Sequence, residues 1–381
     1  MPTISYYEAV NDALERLEDL GYERGVGVDL ANHGPMGAEA VAVLGHGDEV
    51  ARWIGRYRRA LEHHEPPAAR FALDPADEAS WRPALGDFGR AGDWERLFAR
   101  ELATAPWRDA LARWWPRLLP GLFAGLTHGL IRTAHAVRGL SVAGETPTRL
   151  QLDELARGLA YWAARYRALP GSPALRGPRA VPEAVAALPR VPLDGPRGPS
   201  VALGRIDALD RLPGYAESLE WLAPHPASRL LSDMTLQFAD VYLGHPEVFP
   251  VPLVHGLTAP AAARLVLPHL PQELYEPTLA RLWQVQSTFL LAFTTDRRDE
   301  ESGAWRAEAD DLPPLDELGA RAVEHGDEHV IKFTEGCLRE YALRPDPRYP
   351  AAAYAAQRRI PRLDAGGGVA GVSAGAAGAA D

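Results

Sequence analysis

The chain runs to 381 residues, 46% hydrophobic and 24% charged, with a formal net charge of −11, the balance of a globular protein with room for a large core. That acidity argues against nucleic acid or an anionic membrane as the main partner, since both call for basic patches. A single cysteine, Cys337, excludes a disulfide framework. The N-terminal MPTISYYEAVNDALERLEDL lacks the basic-then-apolar order of a signal peptide, and no uncharged apolar run reaches 18 residues. A soluble, cytoplasmic protein is therefore expected.

Helical spacing dominates the chain from its start. Tyr6, Val10, Leu14, Leu17 and Leu20 recur every three to four residues, the stripe of a core-facing helix. Asp48 reads as an N-cap before Val50, Trp53, Ile54, Tyr57 and Leu61. Residues 64–90 carry Pro, Gly and Asp without period and read as loop. Further stripes run through Leu152, Leu155, Leu159 and Trp162, and through Leu230, Met234, Phe238 and Tyr242. Between them, residues 170–200 are proline-rich. The last clear helices are Leu274 to about Phe293, 314–324 and 327–343. The tail from 364, rich in Gly and Ala, is low-complexity and expected to be disordered. No alternating strands bounded by hairpin turns are visible. The fold class expected is all-α, one large helical domain over 1–363 with long proline-rich loops.

Most of the twelve histidines have plain explanations. His63 and His64 sit in a charged EHHEPP turn, and His225, His245 and His269 adjoin prolines at helix ends; a solvated or capping role suffices. His33, in NHGPMGAEA, falls just before a helix, because Pro35 suits a first helical position. His128, in GLTHGLIRTAHAVRGL, lies on an otherwise apolar helix. His255, in PLVHGLTAPAAARL, reads as standing immediately ahead of a helix. His329, in GDEHVIKFTEGCLRE, falls in the first turn of a helix that Asp327 can cap.

Lys332 is the only lysine among 40 basic residues, and its i, i+3 spacing puts it on one helix face with His329. A buried neutral amine can add carbon dioxide and become a carbamate with oxygen ligands, which guanidinium cannot do. The simpler alternative is an ion pair with Glu335 or Glu328. His135 lies seven residues beyond His128, about 10.5 Å along the same face, too far to share a metal atom and placed for acid–base work or substrate contact. His325 is i−4 to His329, but Gly326 and Asp327 read as a helix stop and a new cap, leaving His325 in a solvated loop. There is no HExxH, CxxC, GxSxG, P-loop or strand-borne GxGxxG, so a Rossmann nucleotide site is not supported.

NHGPM at 32–36, THGLIRTAHAVR at 127–138, VHGLTAPAA at 254–262 and DEHVIKFTE at 327–335 together resemble, in order and separation, the recurring blocks of the questin oxidase family. The resemblance covers about residues 5 to 358. It implies oxidative opening of anthraquinone-type rings in aromatic polyketide pathways, described either as NADPH-dependent, flavin-free Baeyer–Villiger oxidation or as non-haem iron dioxygenation. Carried onto matching positions, it implies His33, His128, His255, His329 and a carbamylated Lys332 as ligands of ferrous iron, with dioxygen and a small aromatic substrate as partners. Arg132 stands where family members often carry a second histidine; Arg132 and His135 are then candidate catalytic or substrate contacts. Trp53, Trp162, Trp283 and Phe289 are candidate apolar walls for a flat ligand, although core packing explains them equally. Two other readings stay open: a metal-free NADPH-consuming monooxygenase, and a non-catalytic helical binding protein with buried histidines.

Overall fold

Ser5 opens the first helix. Its hydroxyl accepts from the Glu8 backbone N–H while the Glu8 carboxylate accepts from the Ser5 N–H at 3.1 Å, a reciprocal box that satisfies two of the donors a helix start leaves open. The helix α1, Tyr6–Leu17, then buries Ala9, Val10, Ala13, Leu14 and Leu17. The computed structural model describes residues 4–26, 29–144, 146–191, 199–296, 303, 305–309 and 311–363. The expected disordered tail, 364–381, lies outside the described residues.

The helices that follow are α2 Gly34–Val43, α3 Val50–Ala60, α4 Glu78–Trp81, α5 Ala91–Thr104, α6 Trp107–Leu118, α7 His128–Ala143 and α8 Arg149–Ala164. Next come α9 Val181–Ala187, α10 Pro199–Asp207, α11 Tyr215–Ser218, α12 Ala227–Gly244, α13 Pro250–Val266 and α14 Tyr275–Phe293. The last are α15 Arg306–Ala309, α16 Leu315–His325, α17 Glu328–Leu343 and α18 Arg348–Arg359. Among the described residues the only strands are β1 Glu23–Arg24 and β2 Leu30–Ala31, a two-residue antiparallel pair with Glu23 opposite Ala31. The fold is all-α. No helix among the described residues is long and apolar enough to cross a membrane.

Some boundaries differ from expectation for local reasons. Asp48 lies inside a 3₁₀ turn, Gly47–Glu49, so Glu49 is the residue that precedes α3. The proline-rich 170–200 stretch holds α9, which starts at Val181 with proline in its first turn, the helical position proline tolerates best. α18 adds a helix that the spacing does not predict, because its alanine-rich sequence carries no large apolar stripe, yet Ala351, Ala352, Ala353, Ala355 and Ala356 are all buried.

The chain forms two compact units, one of Met1–Leu169 with Ala262–Leu274, the other of Pro170–Ala261 with Tyr275–Asp381. Each draws on both halves of the sequence, so no single cut in the proline-rich stretch separates them. The first unit has a core of indoles. Trp114 meets Trp94, Trp81 and Phe98 edge-on at centroid distances of 5.7, 5.4 and 5.1 Å, and Trp115 meets Trp162 at 5.1 Å; such pairs contribute about 0.5–1.5 kcal/mol each beyond the area they bury. Their polar ends are satisfied, Trp94 by the Ala84 carbonyl at 3.0 Å and Trp162 by that of Gly121 at 3.1 Å. α7 and α8 approach closely because Gly129 has no side chain: a Cβ there would sit 2.7 Å from Trp162.

In the second unit a glycine again brings two helices together. Gly256 on α13 lies under the Phe238 ring of α12, where a Cβ would meet ring carbons at 1.9 Å. Buried Gln286 of α14 ties these helices together, donating to the carbonyls of Gly256 at 2.8 Å and Met234 at 3.2 Å.

Candidate functional site

Each unit brings two of the expected histidines together. In the first, His33 immediately precedes α2 and His128 is the first residue of α7; their rings lie 4.5 Å apart, centroid to centroid, and both residues are buried. His33 is held through its backbone. Its N–H donates to the Tyr57 hydroxyl at 2.7 Å, which donates to Asn32 Oδ1 at 2.9 Å, and Asn32 Nδ2 donates to the Gly21 carbonyl at 2.7 Å. Tyr57 is fixed in turn by stacking on Trp53, 5.1 Å between centroids.

His128 is held by backbone that leaves the usual right-handed region. Gly125, Leu126 and Thr127 have φ of 52°, 54° and 73° in succession, a left-handed conformation disfavoured by about 1–2 kcal/mol for each residue that carries a Cβ. The turn brings the Gly125 carbonyl to His128 Nδ1. A carbonyl only accepts, so Nδ1 carries the hydrogen and Nε2 is the ring nitrogen with the lone pair. Metal-binding histidines are oriented by this kind of outer hydrogen bond.

In the second unit His255 and His329 face one another at 6.0 Å between ring centroids, nearly perpendicular, and Phe289 lies 6.4 Å from His255. His255 does not precede a helix, as expected, but sits inside α13, which begins at Pro250 because its two early prolines fall where no intrahelical N–H is needed. Asp327 caps α17 as expected, accepting from the backbone of His329 at 2.9 Å and Val330 at 3.1 Å. Its carboxylate also lies 3.5 Å from His329 Nδ1. Burial opposes the charged form of Asp327, but these hydrogen bonds and the neighbouring imidazole hold its carboxyl below the usual range. Asp327, Glu328 and His329 each offer a ligand atom within 4.8 Å of the others.

Lys332 is 3% exposed, so it does not lie on the helix surface, and an ion pair with Glu328 or Glu335 would be a buried one. Glu335 is engaged by Arg339 at 2.9 Å, and Glu328 is as buried as Lys332.

The remaining candidates divide. Arg132 is buried and grips Glu154 with two bonds of 2.7 and 2.8 Å, a geometry that fixes α7 on α8. His135 is buried in the first unit against Glu39, with Nδ1 2.6 Å from the carboxylate. Trp53, Trp162 and Trp283 are fully buried core residues; Trp283 donates to the Ser218 carbonyl at 2.8 Å. His325 is not solvated. It is the last residue of α16, 4% exposed, bonded to the Ile360 carbonyl at 3.0 Å, because the left-handed Gly326, φ 87°, ends the helix after it rather than before it. His63 is half-buried against Tyr57, and burial, with Arg24 nearby, lowers its pKa to about 4. Glu39 and Glu154 were not singled out in the sequence; buried carboxylates betray themselves only by sitting on otherwise apolar helix faces, and many exposed ones do the same.

No protein-family model and no curated protein matches the chain.

Proposed function

We propose that the chain is a non-haem, iron-dependent oxygenase that opens a ring of a quinol- or anthraquinone-like aromatic substrate. The observation that supports this best is the left-handed turn at 125–127, a retained strain whose one evident effect is to present His128 through Nε2. Strain of this kind persists where the surrounding structure holds it and concentrates at working sites.

The residues fit the group. His33, His128, His255 and His329 would hold ferrous iron with a carbamylated Lys332, a set of imidazole and oxygen donors that suits this metal. When bound, iron supplies activation of dioxygen for cleavage of the ring. Burial disfavours the charged form of any amine, and the neutral amine is the form that adds carbon dioxide. The Gly125 carbonyl sets the His128 tautomer, and Asp327 stands beside Nδ1 of His329 in the same role.

Metal analysis tests the reading. Protein purified anaerobically should carry close to one iron per chain, and stoichiometric zinc or no transition metal at all would sink the proposal.

A further inference from the structure

Pro260 stands inside α13, which runs on past it to Val266. Proline has no N–H, so the carbonyl four residues back, that of Gly256, loses its donor in the helix ladder, and the proline ring crowds the same carbonyl. A buried carbonyl in that position needs a donor from elsewhere. Gln286 of α14 supplies it: Nε2 donates to the Gly256 carbonyl at 2.8 Å and to the Met234 carbonyl of α12 at 3.2 Å. These two acceptors fix which end of the amide is nitrogen, because only the NH₂ end donates.

Gln286 is 1% exposed, among the buried apolar Leu282, Val285, Phe289 and Leu290 of its own helix. Its Oε1 is buried and has no hydrogen-bond partner among the described residues, an arrangement that opposes stability. An apolar side chain of the same length would avoid that penalty, so the donor is what this position is for. The Gly256 carbonyl follows directly on His255, and Phe289, three residues beyond Gln286 on α14, lies 6.4 Å from His255 between ring centroids. α14 thus meets the turn of α13 that carries His255 at two points, its backbone through Gln286 and its ring through Phe289.

We infer that Gln286 is a positioning residue for His255. By replacing the N–H that Pro260 lacks, it fixes the course of α13 ahead of the proline, and with it the direction in which His255 presents its ring to His329, 6.0 Å away between centroids. The inference rests on the proposed iron site for its functional meaning, since His255 is a ligand there. The link from amide to carbonyl to imidazole can be read with or without metal.

The test pairs two variants of the full chain. Gln286→Met keeps the length of the side chain and removes both donated bonds. Gln286→Met/Pro260→Ala also gives the Gly256 carbonyl an N–H from its own helix. Protein labelled with ¹⁵N-histidine is followed by NMR, the His255 signals being assigned by their loss in His255→Ala, and is then titrated with ferrous iron without oxygen. Gln286→Met should shift the His255 signals, leave those of His64 and His225 in place, and weaken iron binding about 10- to 100-fold, as loss of an outer-shell contact does. The double variant should recover most of both effects, a rescue that lost packing alone would not allow. Gln286→Met with the parent's His255 signals or the parent's iron affinity, or a double variant no better than the single one, overturns the inference. If the parent binds no iron, the iron reading falls and the His255 signals alone decide. If Gln286→Met does not fold, the double variant decides: folded with the parent's His255 signals it supports the inference, and unfolded it overturns it.

Discussion

α7 and α17 both carry a candidate ligand histidine in their first turn, and they reach it by opposite means. α17 is entered through Asp327, an ordinary N-cap whose carboxylate meets two backbone N–H groups and also approaches the imidazole. α7 is entered through Gly125, Leu126 and Thr127 in left-handed conformation, with no side-chain cap. The first arrangement stabilises its helix by about 0.5–2 kcal/mol; the second opposes it by about 1–2 kcal/mol for each of Leu126 and Thr127. A capped start explains itself by stability alone. A strained one calls for something that relaxation would destroy, here the contact between Gly125 and His128 Nδ1.

The largest effects should come from the histidines themselves. Alanine at His33, His128, His255 or His329 should lower iron content at least about tenfold, the scale that even outer-shell changes reach, whereas His64→Ala and His225→Ala should retain it. If only the members of one pair matter, that pair alone is the metal site and the other unit is structural.

Lys332→Arg comes next. Arginine keeps the charge but cannot form a carbamate, so the variant should fold and lose iron and turnover. An active, iron-replete Lys332→Arg protein would return the residue to a packing role. A native crystal should show density beyond Nζ.

Acid should then loosen the hold of α2 on α7, which runs through Glu39. Burial would raise the Glu39 pKa, but Arg138 and His135 outweigh it and hold it at about 2 against an ordinary 4.5. A depressed carboxyl contributes stability that is whole above its unfolded pKa and is lost as pH falls through the folded one, here between about 4.5 and 2, about 3 kcal/mol in all. Glu39→Gln should flatten that part of a denaturation-versus-pH curve. His63, depressed to about 4, loses its share between about 6.5 and 4, because the unfolded ring takes up the proton first.

The smallest effects address the comparison most directly. Thr127→Gly should raise stability by roughly 0.5–1 kcal/mol, since strain relief outweighs glycine's extra freedom in the unfolded chain, and should weaken iron binding as the turn slackens. Asp327→Ala should lower stability by about 1 kcal/mol. A Thr127→Gly protein that is no more stable in a urea melt would show that the turn carries no strain worth explaining.

The helices were legible because their apolar stripes are periodic; α14, α16 and α17 fall within a residue of expectation, and α12 contains the stripe from Leu230 to Tyr242. The histidines in four distant blocks could be read as candidates from context, and two close pairs emerge. Other features could not be read. The left-handed run at 125–127 contains Leu126 and Thr127, residue types that argue against it. The burial of Lys332 depends on packing that spacing on one helix does not specify. Gln286 reads as one polar residue within an apolar helix, and only the carbonyl that Pro260 leaves open beside it gives its amide a meaning.

Residues 262–274 complete a unit otherwise built from the first 169, and within that returning stretch His269 bonds Ser141 at 2.9 Å and lies over Trp107. During synthesis, α7 must wait for this partner, since Ser141 and His269 lie 128 positions apart, although domains fold most readily as contiguous pieces. A fragment ending near 169 should leave Trp107 without its covering imidazole and rank below the whole chain in expression trials, so any attempt to study the first unit alone should carry 262–274 with it.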